Sequence, residues 1–235
     1  MLKKFLLWWR QRDFHRLQNK KVEDIFSDIY KKNTWGGKPG EFYSGSGTHN
    51  PDVQRYIDTV RAFIKEKNVK SVLEIGCGDF HISSKIIEGL NVTYTGTDVV
   101  EEMMKHHQGK FGRESISFRF LNAIDDQLPP ADLVIIRQVL QHLANVQVSK
   151  ILEKIKTYRY ALITEHLPAS ANPDYNVDKI PGPHIRMKFN SGVFIDKPPF
   201  SVKNTHVLLE YQHDDYILKK TVPAVMRTWV VEARS

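Results

Sequence analysis

Eight consecutive residues, Val72-Leu73-Glu74-Ile75-Gly76-Cys77-Gly78-Asp79, carry an apolar run straight into a glycine-rich turn. Glycine lets a backbone approach a ligand closely, and the helix expected next offers free amides at its start. Asp98 ends the following apolar run, Tyr94-Thr95-Gly96-Thr97-Asp98, twenty residues after Gly78. A carboxylate at that place can accept both hydroxyls of an adenosine ribose. The dinucleotide pattern G-x-G-x-x-G is not met, because His81 stands where its third glycine belongs. Nicotinamide chemistry is demoted on that ground.

These groups need a scaffold, and the pattern supplies one. Strand-like runs at 71–75, 93–97, 117–121, 133–136 and 160–164 alternate with helical runs near 82–88, 101–108 and 148–156. Such alternation predicts a parallel sheet covered by helices. Upstream, residues 20–30 read as a short amphipathic helix, and Asn50-Pro51 as the cap and first position of a helix with one apolar stripe. Residues 166–200 break the rhythm with six prolines, and a connection of that length is usually functional. Three further strands are expected at 206–211, 216–220 and 227–232, with a closing antiparallel hairpin among them.

Glu74, Gly76 and Gly78, followed by Asp98, resemble the first two motifs of the class I S-adenosylmethionine-dependent methyltransferases. The resemblance covers roughly residues 52–235. It implies a Rossmann-like α/β fold: a seven-stranded, mostly parallel sheet with an antiparallel last strand, here preceded by a helical arm. It implies S-adenosylmethionine as cofactor, its amino group near the Gly76 backbone and its adenine facing Asn122 and Ala123. Many relatives carry Asp where Asn122 stands. Val99, beside Asp98, and Arg137, at the end of the fourth strand, join the cofactor set. Cys77 reads as a small residue filling the turn. Glu74 reads equally as a contact or as an organiser of the loop.

Transfer of a methyl group from a sulfonium is a direct displacement, so the protein must align the acceptor and take a proton if it is a hydroxyl. No metal is required. A thiol-dependent attack on pyrimidine C5 is excluded, since the lone cysteine sits in the turn. The segment Leu140-Gln141-His142-Leu143 resembles small-molecule and sugar methyltransferases, not the Asn/Asp-Pro-Pro-Tyr of base amino-methylation. His142 is the first candidate for general base, against a role in orienting the loop or capping a helix. Glu165 and His166, ending the fifth strand, are the others. In the proline-rich insert His184 and Arg186 could meet substrate, Arg186 by clamping a phosphate or carboxylate; its plainer reading is a solvated side chain. His106-His107 reads as a solvated helix face, with no metal site. The stretch from Trp35 to Gly47 is expected to fold over the cofactor. Together with Ser191-Gly192-Val193 and Pro198-Pro199-Phe200, these segments resemble bacterial methyltransferases found with surface-polysaccharide genes.

Length and charge set the remaining bounds. The 235 residues suit one elaborated domain: an arm and lid over 1–51, then a catalytic domain over 52–235. The net charge of +7 is concentrated, because residues 1–21 hold seven cations against Asp13 alone, leaving +1 for the rest. Phe5, Leu6, Leu7, Trp8 and Trp9 among those cations suit the headgroup layer of an anionic membrane, or packing on protein. That apolar run is too short to span. The expectation is a cytoplasmic protein, peripheral at the inner membrane face, acting on a small molecule or saccharide. RNA or protein as acceptor, and a scaffold without chemistry, are the alternatives.

Overall fold

A chain of alternating strands and helices can bury both faces of a sheet only by laying helices on each side. The computed structural model, which describes Leu17 and residues 19–217 and 220–233, has that form. Most of the aromatic basic arm therefore lies outside the described residues. A first helix, α1 (Val22–Lys31), buries Val22, Ile25, Phe26, Ile29 and Tyr30. The helix α2 (Val53–Glu66) follows, with Val53, Tyr56, Ile57, Val60, Phe63 and Ile64 turned inward. Asn50 does not cap it at once: its side-chain oxygen takes the Asp52 amide at 2.9 Å, and the helix starts at Val53. Asn68, at φ 51°, closes the other end. Val69 N–H reaches back to Ile64 C=O and Asn68 N–H to Lys65 C=O. This left-handed cap turns the chain into the first strand.

The sheet then builds from β1 (Ser71–Ile75), β2 (Thr93–Asp98), β3 (Ile116–Phe120), β4 (Leu133–Arg137) and β5 (Tyr160–Pro168), all parallel. Between them lie α3 (His81–Ile87), α4 (Glu101–Phe111) and α5 (Asn145–Ile155). Strand β4 shows why the centre holds: Leu133, Val134, Ile135 and Ile136 are all essentially inaccessible. Each contributes about 1.5–3 kcal/mol relative to exposure. After the insert come β6 (Thr205–Gln212), β7 (Asp215–Ile217), β8 (Lys220–Val222) and β9 (Ala224–Glu232). The seven-stranded order is β3-β2-β1-β4-β5-β9-β6, with β9 antiparallel between β5 and β6.

Two boundaries move from their expected places. In place of the one strand read at 216–220 there are two short strands, β7 and β8, paired antiparallel as a small ribbon outside the main sheet. The insert begins at 169, because β5 runs on to Pro168 to pair with Ala224 of β9. No helix among the described residues is long and apolar enough to cross a membrane.

The strand order reverses between β1 and β4. In open sheets of this kind ligands bind at such a switch point, beyond the carboxyl ends of the strands.

Candidate active site

A cavity of about 540 Å³ opens at that point. Its floor comes from the strand ends: Glu74 to Asp79 after β1, Asp98 and Val99 after β2, Leu121 to Ile124 after β3, Arg137 to Val139 after β4, and His166 on β5. Its other walls include Val22, Phe26 and Tyr30 of α1, Trp35, residues 44–48, Pro183 to Ile185, Lys188, and His213, Asp215 and Tyr216 by the ribbon. Residues of the stretch between α1 and α2 thus form part of the cavity wall.

Gly76 and Gly78 are needed where they stand. Gly76 has φ +72°, and a Cβ there would come within 2.4 Å of Val139 Cγ2. Gly78 has φ +52°, and a Cβ would meet Ser44 Oγ at 2.4 Å. Only glycine fits a left-handed turn pressed against its neighbours in this way.

The amides of the turn itself are not free. Gly76 and Cys77 both donate to Thr97 C=O, at 2.8 and 3.0 Å. Gly78 donates to Asp98 Oδ2 at 3.2 Å, Asp79 to Ser44 Oγ at 2.8 Å, Phe80 to Cys77 C=O at 3.1 Å, and His81 to Asp79 Oδ1 at 3.1 Å. Every backbone N–H from 76 to 81 is spoken for. Three carboxylates, Glu74, Asp79 and Asp98, line the same end. A pyrophosphate would find no free donor within the turn itself and three acidic side chains beside it, surroundings that suit a cation better.

Burial raises the acids. Asp98 is pushed up to about 6 by burial, against the pull of the Gly78, Val100 and Val99 amides. Glu74 is pushed up to about 7 by burial, partly offset by hydrogen bonds, including one from the Tyr94 hydroxyl. Cys77 lines the cavity, and burial raises its thiol well above the usual range.

Asn122 and Ala123 lie in the wall as expected, but the Asn122 side chain is engaged: Nδ2 donates to Glu23 Oε1 at 2.8 Å and Oδ1 accepts from Ile124 N–H at 2.9 Å. Lys154 fastens that loop from α5, donating to the carbonyls of Ala123, Ile124 and Asp126. Arg137 reaches across to the lid, giving Nη2 to Gly47 C=O at 3.1 Å and Nη1 to Gln138 Oε1 at 2.9 Å, while its guanidinium lies 5.2 Å from the Tyr56 ring centre. Its Nε is buried without a partner.

Five expectations about acceptor-side residues divide. His142 and His184 line the cavity, and so does His166. His142 donates Nδ1–H to Gly182 C=O at 3.2 Å, and burial, with Lys179 and other cations near, pulls it down to about 3. His166 donates Nε2–H to His213 C=O at 2.8 Å, leaving Nδ1 as an acceptor. Its pKa is lowered too, by burial first. Glu165 and Arg186 are corrections, because neither forms part of the cavity wall. The Glu165 carboxylate, fully buried, takes the Leu140 and Gln141 amides at 3.0 and 3.1 Å and so holds the turn after β4. Arg186, also fully buried, gives Nε to Val177 C=O, Nη1 to Leu140 C=O, and Nη2 to Leu143 C=O and Asn145 Oδ1. It pins the insert to that turn instead of clamping a ligand. An inward-facing arginine on a loop left no periodic mark in the sequence.

His107 is the third correction. It is 3% exposed, not solvated, and its Nε2 donates to Gly78 C=O at 2.9 Å. The ribbon residues His213, Asp215 and Tyr216 also went unforeseen; their strand periodicity gives no hint that they reach the site.

Residues 73–158 match the family model for a methyltransferase domain. Among solved structures the fold resembles N-methyltransferase NodS from Bradyrhizobium japonicum WM9 with S-adenosylhomocysteine, at 13% identity over 86% of this chain and 98% of that one, TM-score 0.55. It resembles the N-terminal domain of EvdMO1, crystallised in the presence of S-adenosylhomocysteine and D-fucose, at 14% identity over 89% and 96%, TM-score 0.54. Magnesium protoporphyrin IX methyltransferase from Synechocystis PCC 6803 with bound S-adenosylhomocysteine is similar at 14% identity over 88% and 97%, TM-score 0.53. No curated protein matches the sequence. The sheet order and these likenesses define the class: a Rossmann-like fold of the class I methyltransferases.

Proposed function

We propose that the chain is an S-adenosylmethionine-dependent methyltransferase that O-methylates a polar, glycosyl and anionic small molecule. The observation that carries this is the electrostatic division of the cavity. At the β1–β2 end, three carboxylates and a turn with no free amide suit a cofactor bearing a sulfonium and an ammonium. Asp98 would take the ribose hydroxyls, the Gly76 carbonyl side of the turn would face the amino group, and Asn122 and Ala123 would border the adenine. Val99 would flank the ribose. When bound, the cofactor supplies an electrophilic methyl group.

The other end lies three strand spacings away, about 14 Å along the sheet. His166 on β5 and His213, with ring centres 5.2 Å apart, stand there with Asp215; Arg137, on β4 one spacing from β1, lies between the two ends, and His184 and Lys188 line the same cavity. That set suits an acceptor with hydroxyls and a negative group. His166 is the better base, since its Nδ1 is kept unprotonated by the bond at Nε2 and can take the hydroxyl proton as oxygen attacks carbon. His142, at about 3, is too weakly basic and serves to orient the neighbouring wall. A carbohydrate acceptor also accords with the D-fucose named for one structural neighbour, and a setting in surface-polysaccharide assembly would follow.

Calorimetry should detect binding of S-adenosylhomocysteine and none of NAD. Labelled methyl transfer should then favour uronates or sugar phosphates over neutral sugars, RNA or peptides. Binding without transfer to any of them would favour the scaffold reading. Residues 1–51 would act as arm and lid, and deletion of 1–18 should reduce pelleting with anionic liposomes while sparing cofactor affinity. Such contact would place the protein at the inner membrane face.

A further inference from the structure

We propose that His107 is a positioning residue for the cofactor turn, holding the Gly78–Asp79 peptide in the orientation the cofactor requires. The inference rests on reading residues 76–79 as the cofactor turn. Two peptide planes meet at the Gly78 Cα, and each is fixed from outside the turn. The plane before it is set by the Gly78 N–H bond to Asp98. The plane after it is gripped at both ends: His107 Nε2 donates to the Gly78 carbonyl at 2.9 Å, and the Asp79 N–H donates to Ser44 Oγ at 2.8 Å. Glycine at φ +52° has the widest freedom of any residue to rotate these planes, so external bonds must supply the rigidity its side chain cannot.

The imidazole is held to one state. It sits among Phe118, Phe111, Phe42 and Phe80, with ring centres 5.3, 5.6, 6.1 and 6.5 Å away. Burial in that box lowers its pKa, so the ring is neutral. A neutral ring that donates from Nε2 has a bare Nδ1, and Nδ1 is indeed buried with no partner. An unpaired buried acceptor costs stability, and phenylalanine would avoid that cost in surroundings already built of phenylalanines. The bond to Gly78 is what phenylalanine could not make.

The test compares the wild-type chain with His107→Phe and His107→Gln by calorimetric titration with S-adenosylhomocysteine, alongside thermal melts. Phe fills the same box and removes the orphan nitrogen. If packing were the whole role, its melting temperature would equal or exceed that of the wild type and its affinity would be unchanged. Positioning predicts affinity about tenfold weaker in His107→Phe without a lower melting temperature, and largely regained in His107→Gln, whose amide can donate in place of Nε2. Unchanged affinity in His107→Phe, or no recovery in a folded His107→Gln, would overturn it. Nitrogen-15 spectra of the wild-type imidazole give a reading free of any variant: the Nε2-protonated neutral form is expected, and the Nδ1-protonated form would refute the role. A wild type without affinity for S-adenosylhomocysteine overturns the cofactor reading itself. A wild type that binds, beside an indifferent His107→Phe, overturns only the part given to His107.

Discussion

Ser44 and Asp79 exchange hydrogen bonds: the Asp79 amide donates to Ser44 Oγ at 2.8 Å, and the Ser44 amide donates to an Asp79 carboxylate oxygen at 3.1 Å. The Tyr30 hydroxyl joins at 2.9 Å from Ser44 Oγ, tying α1 to the same point. One serine thus couples the segment between α1 and α2 to the glycine turn. Ser44→Ala should weaken S-adenosylhomocysteine binding roughly two- to tenfold, the worth of one such bond. Titration calorimetry measures this, and a variant binding like the wild type would detach the lid from cofactor recognition.

Gly76 sets a steric limit on the opposite side of the turn. In Gly76→Ala the new methyl strikes Val139, and an L-residue must hold φ +72°. The two effects together should cost roughly 2–5 kcal/mol and abolish measurable cofactor binding. Adding Val139→Ala removes the clash but not the strained dihedral, so the double variant should recover stability only in part. Full recovery in urea melts would show the dihedral to be harmless.

On the proposed ribose role, Asp98 should make cofactor affinity depend on pH. Burial lifts its carboxyl from 3.8 to about 6, and ribose hydroxyls donate best to the charged form. Protonation therefore competes with binding, and affinity should fall as pH drops below 6. Asp98→Asn should bind weakly at every pH, with that acid limb gone. A wild-type affinity flat from pH 7.5 to 5 would contradict the ribose role.

Glu165 makes stability depend on pH in the other direction. Its folded pKa is raised from 4.5 to about 8 by burial, so below 4.5 its contribution is fully present. As pH rises from 4.5 towards 8 the unfolded chain sheds this proton while the buried group keeps it, so that contribution is lost, on the order of a few kcal/mol. Measured as the difference between wild type and Glu165→Gln, stability should shift steadily in favour of the variant from pH 5 to 8. A difference independent of pH would mean that the carboxylate is already charged at pH 5.

The strands and the glycine turn were legible because both leave periodic or compositional marks. Apolar runs such as Leu133–Ile136 announce a central strand, and Gly76 and Gly78 before a helix announce a turn. The switch-point cavity follows from strand order, which alternation alone does not fix; the seven-stranded sheet with its antiparallel last strand was what the family resemblance implied. Partners chosen by tertiary packing were not legible. Glu165 and His166 are adjacent in sequence, yet one serves the turn behind the wall and the other faces the cavity. His106-His107 looked polar by type, while helix phase and the phenylalanine box decided that the second ring is buried. The ribbon brought Asp215 and Tyr216 to the rim through a register that no local pattern encodes.

Cys77 gives the site a chemical reporter of its own. It is the chain's single cysteine, it lines the cavity, and its thiol is held protonated by burial. A maleimide has one sulfur to find, and on the proposed cofactor reading the residue that carries it borders the space the cofactor would fill. Alkylation should therefore be slow in the empty protein and slower still with S-adenosylhomocysteine present. The rate of a one-site labelling reaction then becomes a clock for vacancy, readable by mass without any knowledge of the acceptor.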